Sequence, residues 1–349
     1  MTSRKRVLAA LNHQDPDRVP VWEYFWPEFE DKWRKIKKLP SNEDIYRYYK
    51  IDLREVSCKR WPRIDGRLTI KKSSQYEILK DGWGAIVKEL PHSSTPQYLE
   101  FPIKKKQDID KYEFESPKDP IRYTDFVKEV EDNKDMALFG HITGPYGLLW
   151  HTRGPEQSFY DIAEDPNFVR ALVEKLTEGM IEIGLQQLER SKGLLLGIWI
   201  ADDIAYNKGL MFSPETYYKL FWPSLRRMCE SFKKRGAKII YHSDGDIREA
   251  IDMLIEAGVD AINPLEVRAG MDVVKLKEKY EGRLSFIGNI DNTGTLRTGT
   301  KQDIEKEVIR KLKAAKGGGY IIGSSHSIGP DVPIENYEYF LQIVRGDAK

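Results

Sequence analysis

The sequence has few cysteines and no long apolar run. Only Cys58 and Cys229 occur among 349 residues, which excludes a disulfide-stabilised scaffold and a zinc site built from cysteines alone. No stretch of about eighteen apolar residues is present, so no membrane span is predicted. The first residues lack the apolar core of a secretion signal. We therefore expect a cytoplasmic protein with no membrane partner.

Neither sign of charge is in excess. Lysine and arginine number 56, aspartate and glutamate number 55, and the net charge is +1 with neutral histidines. This balance argues against the domain-wide basic field of many nucleic-acid-binding proteins, so no nucleic-acid partner is expected. Hydrophobic residues make up 40% of the chain and charged residues 32%, which is enough for a full core under a well-solvated surface.

The second half of the chain alternates between short apolar segments and amphipathic segments. This alternation predicts β–α units on a parallel sheet. The predicted strands are residues 193–201, 238–242, 259–263, 284–289 and 319–324, with earlier candidates at 19–23 and 136–141. The predicted helices are one that begins at 213, then 225–234, 247–257, 273–280, 302–315 and 334–344.

Seven or eight such units in one chain predict a (β/α)8 barrel. We expect residues 1–349 to form a single barrel domain with an N-terminal helical segment. Residues 51–112 follow the pattern less regularly, with short alternating runs, and are predicted to form an irregular insertion packed on the barrel.

Ionisable side chains stand at the ends of most predicted strands. The carboxyl ends of barrel strands face one side, and enzymes of this architecture place their chemistry there. Because Asp, Asn and Ser also cap helices, capping is an alternative interpretation for Asp246, Asp291 and Ser325. A buried structural histidine is the alternative for His242 and for His326, although two histidines on one barrel face favour a functional role. The polar strand ends are Glu23, His141, Asp202, Asp203, His242, Asp244, Glu266 and His326.

Several short motifs, taken in their order and spacing, resemble those of the uroporphyrinogen decarboxylase superfamily. The resemblance extends from about residue 3 to about residue 345, which is nearly the whole chain. It implies a (β/α)8 barrel, in agreement with the strand and helix pattern. The motifs include Asp-Pro-Asp-Arg-Val-Pro at 15–20, Asp-Asp at 202–203, Ser-Pro-Glu at 213–215, His-Ser-Asp-Gly at 242–245, Gly-Asn-Ile-Asp at 288–291 and His-Ser-Ile-Gly-Pro at 326–330.

The segment after the first predicted strand favours the corrinoid-dependent methyltransferase branch of this superfamily. In the true decarboxylases, arginines of this segment bind the many carboxylates of the porphyrinogen. Here residues 21–28 contain no arginine, two glutamates and four aromatic residues. Such a segment suits a neutral or singly charged ring and repels a polyanion. The alternatives are a decarboxylase for a less anionic substrate and a non-catalytic barrel that binds a corrinoid or a tetrapyrrole.

The resemblance also implies a metal site. The methyltransferases hold zinc with a His-x-Cys pair after one strand and a cysteine after a later strand. The matching positions here are His242 and Asp244, then His326. Two histidines and one carboxylate suit zinc or another divalent first-row metal. Because both thiolates are absent, the set favours a Lewis acid for an oxygen substrate such as a methyl ether.

We therefore expect transfer of a methyl group from a methoxylated aromatic compound to a corrinoid. The corrinoid is expected on a partner protein, because the chain has no Asp-x-His-x-x-Gly motif for binding it. A homodimer is one option for the assembly. Asp202, Asp203 and Glu266 are the candidate catalytic acids. Their alternative roles are to hydrogen-bond the residues that contact the metal or substrate, or to cap helices. The candidate substrate-binding residues are Trp22, Tyr24, Trp26, His141, Tyr146 and Trp150.

Overall fold

The computed structural model describes residues 1–91 and 95–347. Its α-helices are α1 (Ser3–Leu11), α2 (Pro27–Lys37), α3 (Ile45–Tyr48), α4 (Thr124–Asp132), α5 (Pro145–Arg153), α6 (Pro155–Glu164), α7 (Pro166–Arg190), α8 (Pro214–Leu220), α9 (Trp222–Lys233), α10 (Ile251–Ala257), α11 (Val273–Tyr280), α12 (Thr295–Thr298), α13 (Lys301–Leu312) and α14 (Ile334–Arg345). Its strands are β1 (Leu53–Val56), β2 (Arg67–Lys72), β3 (Glu77–Asp81), β4 (Ile86–Glu89), β5 (Gln97–Glu100), β6 (Ala137–Thr143), β7 (Leu195–Ala201), β8 (Ala205–Tyr206), β9 (Gly209–Leu210), β10 (Lys238–His242), β11 (Ala261–Asn263), β12 (Ser285–Ile290) and β13 (Tyr320–Ser324).

Seven strands form a curled parallel sheet in the order β1-β6-β7-β10-β11-β12-β13. Every pair within this sheet is parallel, and the strands are buried on both faces, as expected where helices cover a parallel sheet. Val21 makes a parallel bridge to Ile322 in β13, and Trp22 makes one to Leu53 in β1. The predicted α/β fold is thus confirmed as a curled parallel sheet of seven strands rather than the eight of a (β/α)8 barrel, and the predicted strand at 19–23 is reduced to two bridging residues.

The insertion predicted at residues 51–112 begins later than expected, because its first residues belong to the main sheet. Residues 53–56 lie within the region predicted as an insertion, yet they form β1 and pair with Ala137–Gly140 in the main sheet. The part that departs from the barrel is a separate antiparallel sheet in the order β2-β3-β4-β5. Its strands alternate in short runs with polar turns, which explains why the sequence pattern looked irregular.

A buried carboxylate ties the N-terminal segment to the barrel. Asp52 is fully buried and accepts hydrogen bonds from Arg6 Nη1 (2.7 Å), Arg18 Nη1 (2.6 Å) and the Val21 N–H (2.9 Å). Because a buried charge is stable only when it is paired and hydrogen-bonded, these contacts fix the chain just before Trp22. Within the described residues, none of the helices combines the length and apolar character needed to cross a membrane.

Candidate active site

A cavity of about 410 Å³ opens at the carboxyl ends of the sheet strands. Its volume lies near the lower end of the range of roughly 300–1,000 Å³ that is typical of small-molecule sites. The lining residues come from almost every strand end around the sheet. They are Trp22, Tyr24, Glu55, Ser57, Arg60, Glu129, His141, Trp199, Ala201, His242, Asp244, Pro264, His326 and Ser327.

One side of the cavity carries an acid–histidine cluster, which we define as Asp203, His242, Asp244, Glu266 and His326. His242 Nε2 lies 3.6 Å from Asp203 Oδ1 and 3.9 Å from Asp244 Oδ1, and His326 Nε2 lies 3.3 Å from Asp244 Oδ2. Two triplets in the cluster each place one ligand atom per residue within 4.8 Å of the others, namely Asp203, His242 and Asp244, and Asp244, Glu266 and His326. Asp244 belongs to both triplets, whereas the predicted set of His242, Asp244 and His326 is neither of them, because each histidine faces a different oxygen of Asp244.

The His242 ring is oriented from behind by a buried amide. Its Nδ1 lies 2.7 Å from Asn263 Oδ1, and Asn263 is fully buried and donates from Nδ2 to the Ile287 carbonyl at 3.4 Å. Because the amide oxygen accepts the Nδ1 proton, Nε2 is directed at the two aspartates. An oriented ring of this kind is typical of histidines that ligate metals.

Asp244 and the two histidines shift one another's pKa values toward their charged forms. Burial opposes ionisation of Asp244, but His326 and His242 outweigh it, and the pKa of this carboxyl is lowered. The hydrogen bond to Asp244 raises the pKa of His326. Burial opposes the charged form of His242, but Asp203 and Asp244 outweigh it and raise its pKa. In the absence of a cation, the cluster therefore favours imidazolium–carboxylate pairs.

Glu266 belongs to the cluster but is not among the residues that line the cavity, and its surroundings favour the protonated carboxyl. Its Oε2 accepts the Gly245 N–H at 2.8 Å, and burial followed by the Asp244 charge raises the pKa of this carboxyl. Gly245 has φ +84°, and a Cβ on it would lie 2.6 Å from the Tyr206 nitrogen. The tight turn after Asp244 therefore requires glycine.

The two adjacent aspartates after β7 have separate environments. Asp203 lies at the cluster, where its Oδ1 accepts the Asp244 N–H at 3.1 Å. Asp202 is buried and turned away, with Oδ1 accepting the Gly147 N–H (2.7 Å) and Oδ2 accepting the Tyr241 hydroxyl (3.0 Å). Burial raises the pKa of Asp202 to about 7. It lies against the first turn of α5 and does not line the cavity.

The predicted aromatic residues divide into two groups. Trp22 and Tyr24 line the cavity, and Trp22 stacks on Trp199 with ring centroids 5.5 Å apart. Trp26 is 37% exposed next to α2. Tyr146 packs against Phe212 and Phe221, and Trp150 packs against Tyr98 and Phe101. These last three side chains are not among the cavity-lining residues.

His141 lines the cavity on the side formed by the end of β1 and the segment that follows it. Its Nδ1 lies 2.8 Å from Glu55 Oε2. Glu55 and Arg60 lie in the region that was predicted to be an insertion, and Trp199 lies within a predicted buried strand. Residues 195–201 are apolar throughout, so the sequence pattern could not show which of their side chains face the barrel axis. No local signal marked Arg60.

The buried Glu23 should make stability depend on pH. Burial raises its pKa to about 8 from an ordinary value of 4.5, and the Ser324 hydroxyl donates to it. The stabilisation contributed by the protonated carboxyl is complete below the unfolded pKa and is lost as the pH rises toward the folded pKa. Glu23→Gln stays neutral, so between about pH 5.5 and about pH 8.5 we expect its melting temperature to fall by a few degrees less than that of the wild type. Parallel melting curves that fall equally would show that Glu23 is ionised in the folded protein.

Comparison with known proteins places the chain in a family. The family model described as "Uroporphyrinogen decarboxylase (URO-D)" matches residues 82–346. The uroporphyrinogen decarboxylase of Helicobacter pylori (strain Shi470) is 28% identical over 228 residues, which cover 62% of this chain and 62% of that protein. The match therefore spans less than two thirds of that relative. The uroporphyrinogen decarboxylase of Campylobacter concisus is 25% identical over 259 residues, which cover 70% of this chain and 71% of that protein.

A solved structure shares the fold over the full length. A methyltransferase from Methanosarcina mazei superimposes with a TM-score of 0.74 and covers 99% of both chains, at 16% sequence identity. This similarity extends the shared fold to the N-terminal residues that the family model leaves unmatched. The motifs predicted the same superfamily, and the prediction is confirmed: the chain belongs to the uroporphyrinogen decarboxylase family.

Proposed function

We propose that this protein transfers a methyl group from a small methoxylated aromatic compound to a reduced corrinoid carried by a separate corrinoid-binding protein. The observation that carries the proposal is the acid–histidine cluster facing a cavity walled by Trp22 and Trp199. Residues 21–28, at the mouth of this cavity, contain no arginine. These features suit a single aromatic ring better than a macrocycle with eight carboxylates.

The donor atoms of the cluster fit a divalent metal such as zinc. Asp244 Oδ1 is buried and has no hydrogen-bond partner among the described residues, and a buried acceptor without a partner is rare in folded proteins. His242 Nε2 and His326 Nε2 point toward the same carboxylate. His242, Asp244 and His326 would hold the ion, with Asp203 and Glu266 beside it. When bound, the metal supplies a Lewis acid that polarises the ether oxygen.

The residues of the chain itself would position the ring and move the proton. Trp22 and Tyr24 offer apolar faces to an aromatic ring. In the reaction, the bond between the methyl carbon and the ether oxygen breaks, and its electron pair stays on oxygen. The methyl carbon bonds to cobalt, which supplies the electron pair from its Co(I) state. Glu266, which holds a proton at higher pH than an ordinary glutamate, would protonate the departing oxygen, so that the product is a phenol.

A decarboxylase for a small, less anionic substrate is the second candidate. The similarity to uroporphyrinogen decarboxylases favours it. In that case His326, whose pKa is raised by Asp244, would protonate the carbon that loses carbon dioxide. No metal would be needed for this reaction.

The two candidates are separated by a single-turnover assay. The zinc-supplemented protein is mixed with cob(I)alamin and a panel of methoxybenzoates, and we expect formation of the matching phenol together with the spectral change of cobalamin on methylation. Uroporphyrinogen under the same conditions should release no carbon dioxide, and calorimetry should show no tight porphyrin binding. Tight porphyrin binding without any phenol from the panel would overturn the proposal and favour the decarboxylase.

A further inference from the structure

Arg60 presents an unsatisfied cation to the cavity. Its guanidinium donates from Nη1 to the Ser57 hydroxyl at 3.0 Å, whereas its Nε is buried and has no hydrogen-bond partner among the described residues. Among the described residues, no carboxylate oxygen lies within 4.0 Å of the Arg60 guanidinium, whereas Arg54 and Arg67 each form ion pairs. A buried donor without a partner is costly and calls for a ligand or another explanation.

The surroundings hold this side chain in place. Arg60 stacks over Trp61, with Cζ at 5.6 Å from the ring centroid. Trp61 itself is held by the turn between β3 and β4, where a Cβ on Gly82 would lie 1.9 Å from the indole ring. The buried Arg122 then fixes the loop by donating to the carbonyls of Lys59 (2.8 Å) and Trp61 (2.7 Å). These contacts restrict the conformation of the loop that carries Arg60.

The carboxylates on this side of the cavity are already engaged elsewhere. Glu55 lies 2.8 Å from the His141 ring, and Glu129 lies 3.9 Å from Arg54. Burial lowers the pKa of Arg60 against the opposing attraction of Cys58 and Glu55, although an arginine stays protonated in proteins. Its charge is thus available to an incoming anion.

The sheet order places Arg60 far from Glu266 around the cavity. Arg60 follows β1, and Glu266 follows β11. In one direction β6, β7 and β10 lie between them; in the other direction β12, β13 and the bridging residues Val21 and Trp22 do. Arg60 and Glu266 therefore lie on opposite sides of the ring of strand ends, and of the two only Arg60 lines the cavity.

We infer that Arg60 binds a single carboxylate of the substrate, so that the substrate is an aromatic acid whose methoxy group reaches the acid–histidine cluster. A guanidinium can bind a carboxylate through two parallel hydrogen bonds, a geometry that Lys or a neutral donor cannot reproduce. The identity of the reacting methoxy group rests on the proposed function, whereas the negative charge of the ligand is inferred from Arg60 alone.

The test compares two ligands of equal shape and different charge. Calorimetry on metal-free protein, prepared by dialysis against a chelator, measures binding of 4-methoxybenzoate and of the neutral 4-methoxybenzamide. We expect the acid to bind about tenfold tighter or more to the wild type. Arg60→Gln should remove this preference while leaving the affinity for the amide within about twofold. Arg60→Lys should retain part of it, because the charge remains but the paired geometry does not.

Arg67→Gln is the matched control, because Arg67 is half-exposed on β2 and pairs with Glu77 and Glu89 outside the cavity. It should keep the full preference for the acid. Equal binding of acid and amide by the wild type would overturn the inference. A preference for the acid that survives in Arg60→Gln and disappears in His326→Ala would also overturn the inference, because it would show that the substrate carboxylate binds at the acid–histidine cluster. If the preference depends on Arg60 but no methyl transfer occurs, only the proposed function fails.

Discussion

Replacement of His242 by alanine is expected to abolish divalent-metal binding and methyl transfer together. The wild-type protein should bind about one ion per chain, because His242 and His326 face the two oxygens of Asp244, and two histidines with one carboxylate can hold zinc. Asn263→Ala removes the acceptor that orients the His242 ring and should weaken metal binding by roughly 10–100-fold. The loss in His242→Ala should exceed that range. Elemental analysis of dialysed protein and competition with a chelating dye measure both effects.

His13→Asn is a suitable control for the loss of a histidine. His13 lies at the opposite end of the barrel, beside Gly318 and Gly319, which precede β13. Its φ of 54° is in the left-handed region, which asparagine tolerates better than most residues. The control should keep its metal and its activity. A wild-type protein that is active in methyl transfer and carries no metal would remove the Lewis-acid role and leave proton transfer by Glu266 as the main source of catalysis.

The sequence predicted the regular part of the fold because that part obeys simple periodicity. The predicted strand at 238–242 coincides with β10, and the predicted helix at 273–280 coincides with α11. The helix predicted at 247–257 begins later, at Ile251. The first predicted strand fails as a regular element because residues 21 and 22 each make a single bridge. Long-range pairing with β13 and β1 decides their conformation, and local pattern carries little information about it.

The site was predicted where chemistry sits at a strand end and was missed where it sits in a loop. His242, Asp244 and His326 follow β10 and β13, so the barrel rule brings them together. Sequence alone could not show which of Asp202 and Asp203 faces the cluster. The Gly147 N–H in the first turn of α5 binds Asp202, and this contact exists only in the folded chain. Arg60 depends on Trp61, Gly82 and Arg122, which are brought together only by the folded antiparallel sheet.

Replacement of Glu266 by glutamine is expected to slow methyl transfer by roughly 10²–10⁴-fold, the usual contribution of a general acid. Glutamine keeps the shape and can still accept the Gly245 N–H that now bonds Oε2 at 2.8 Å, so the turn after Asp244 should persist. It cannot deliver a proton to the departing oxygen. The effect should be largest for a simple aryl methyl ether, whose phenolate is a poor leaving group.

The leaving group separates proton delivery from a structural role. For 4-nitroanisole, whose phenolate departs without protonation, we expect the difference between wild type and Glu266→Gln to shrink strongly, because the acid is no longer needed. Glu129→Gln is the matched control. Glu129 lines the same cavity but lies beside Arg54 and away from the cluster, and its loss should change the rate only slightly for either ether. A Glu266→Gln defect of equal size for both ethers, or loss of the bound metal in this variant, would instead assign Glu266 to holding the ion or the fold, because neither role depends on how readily the oxygen departs.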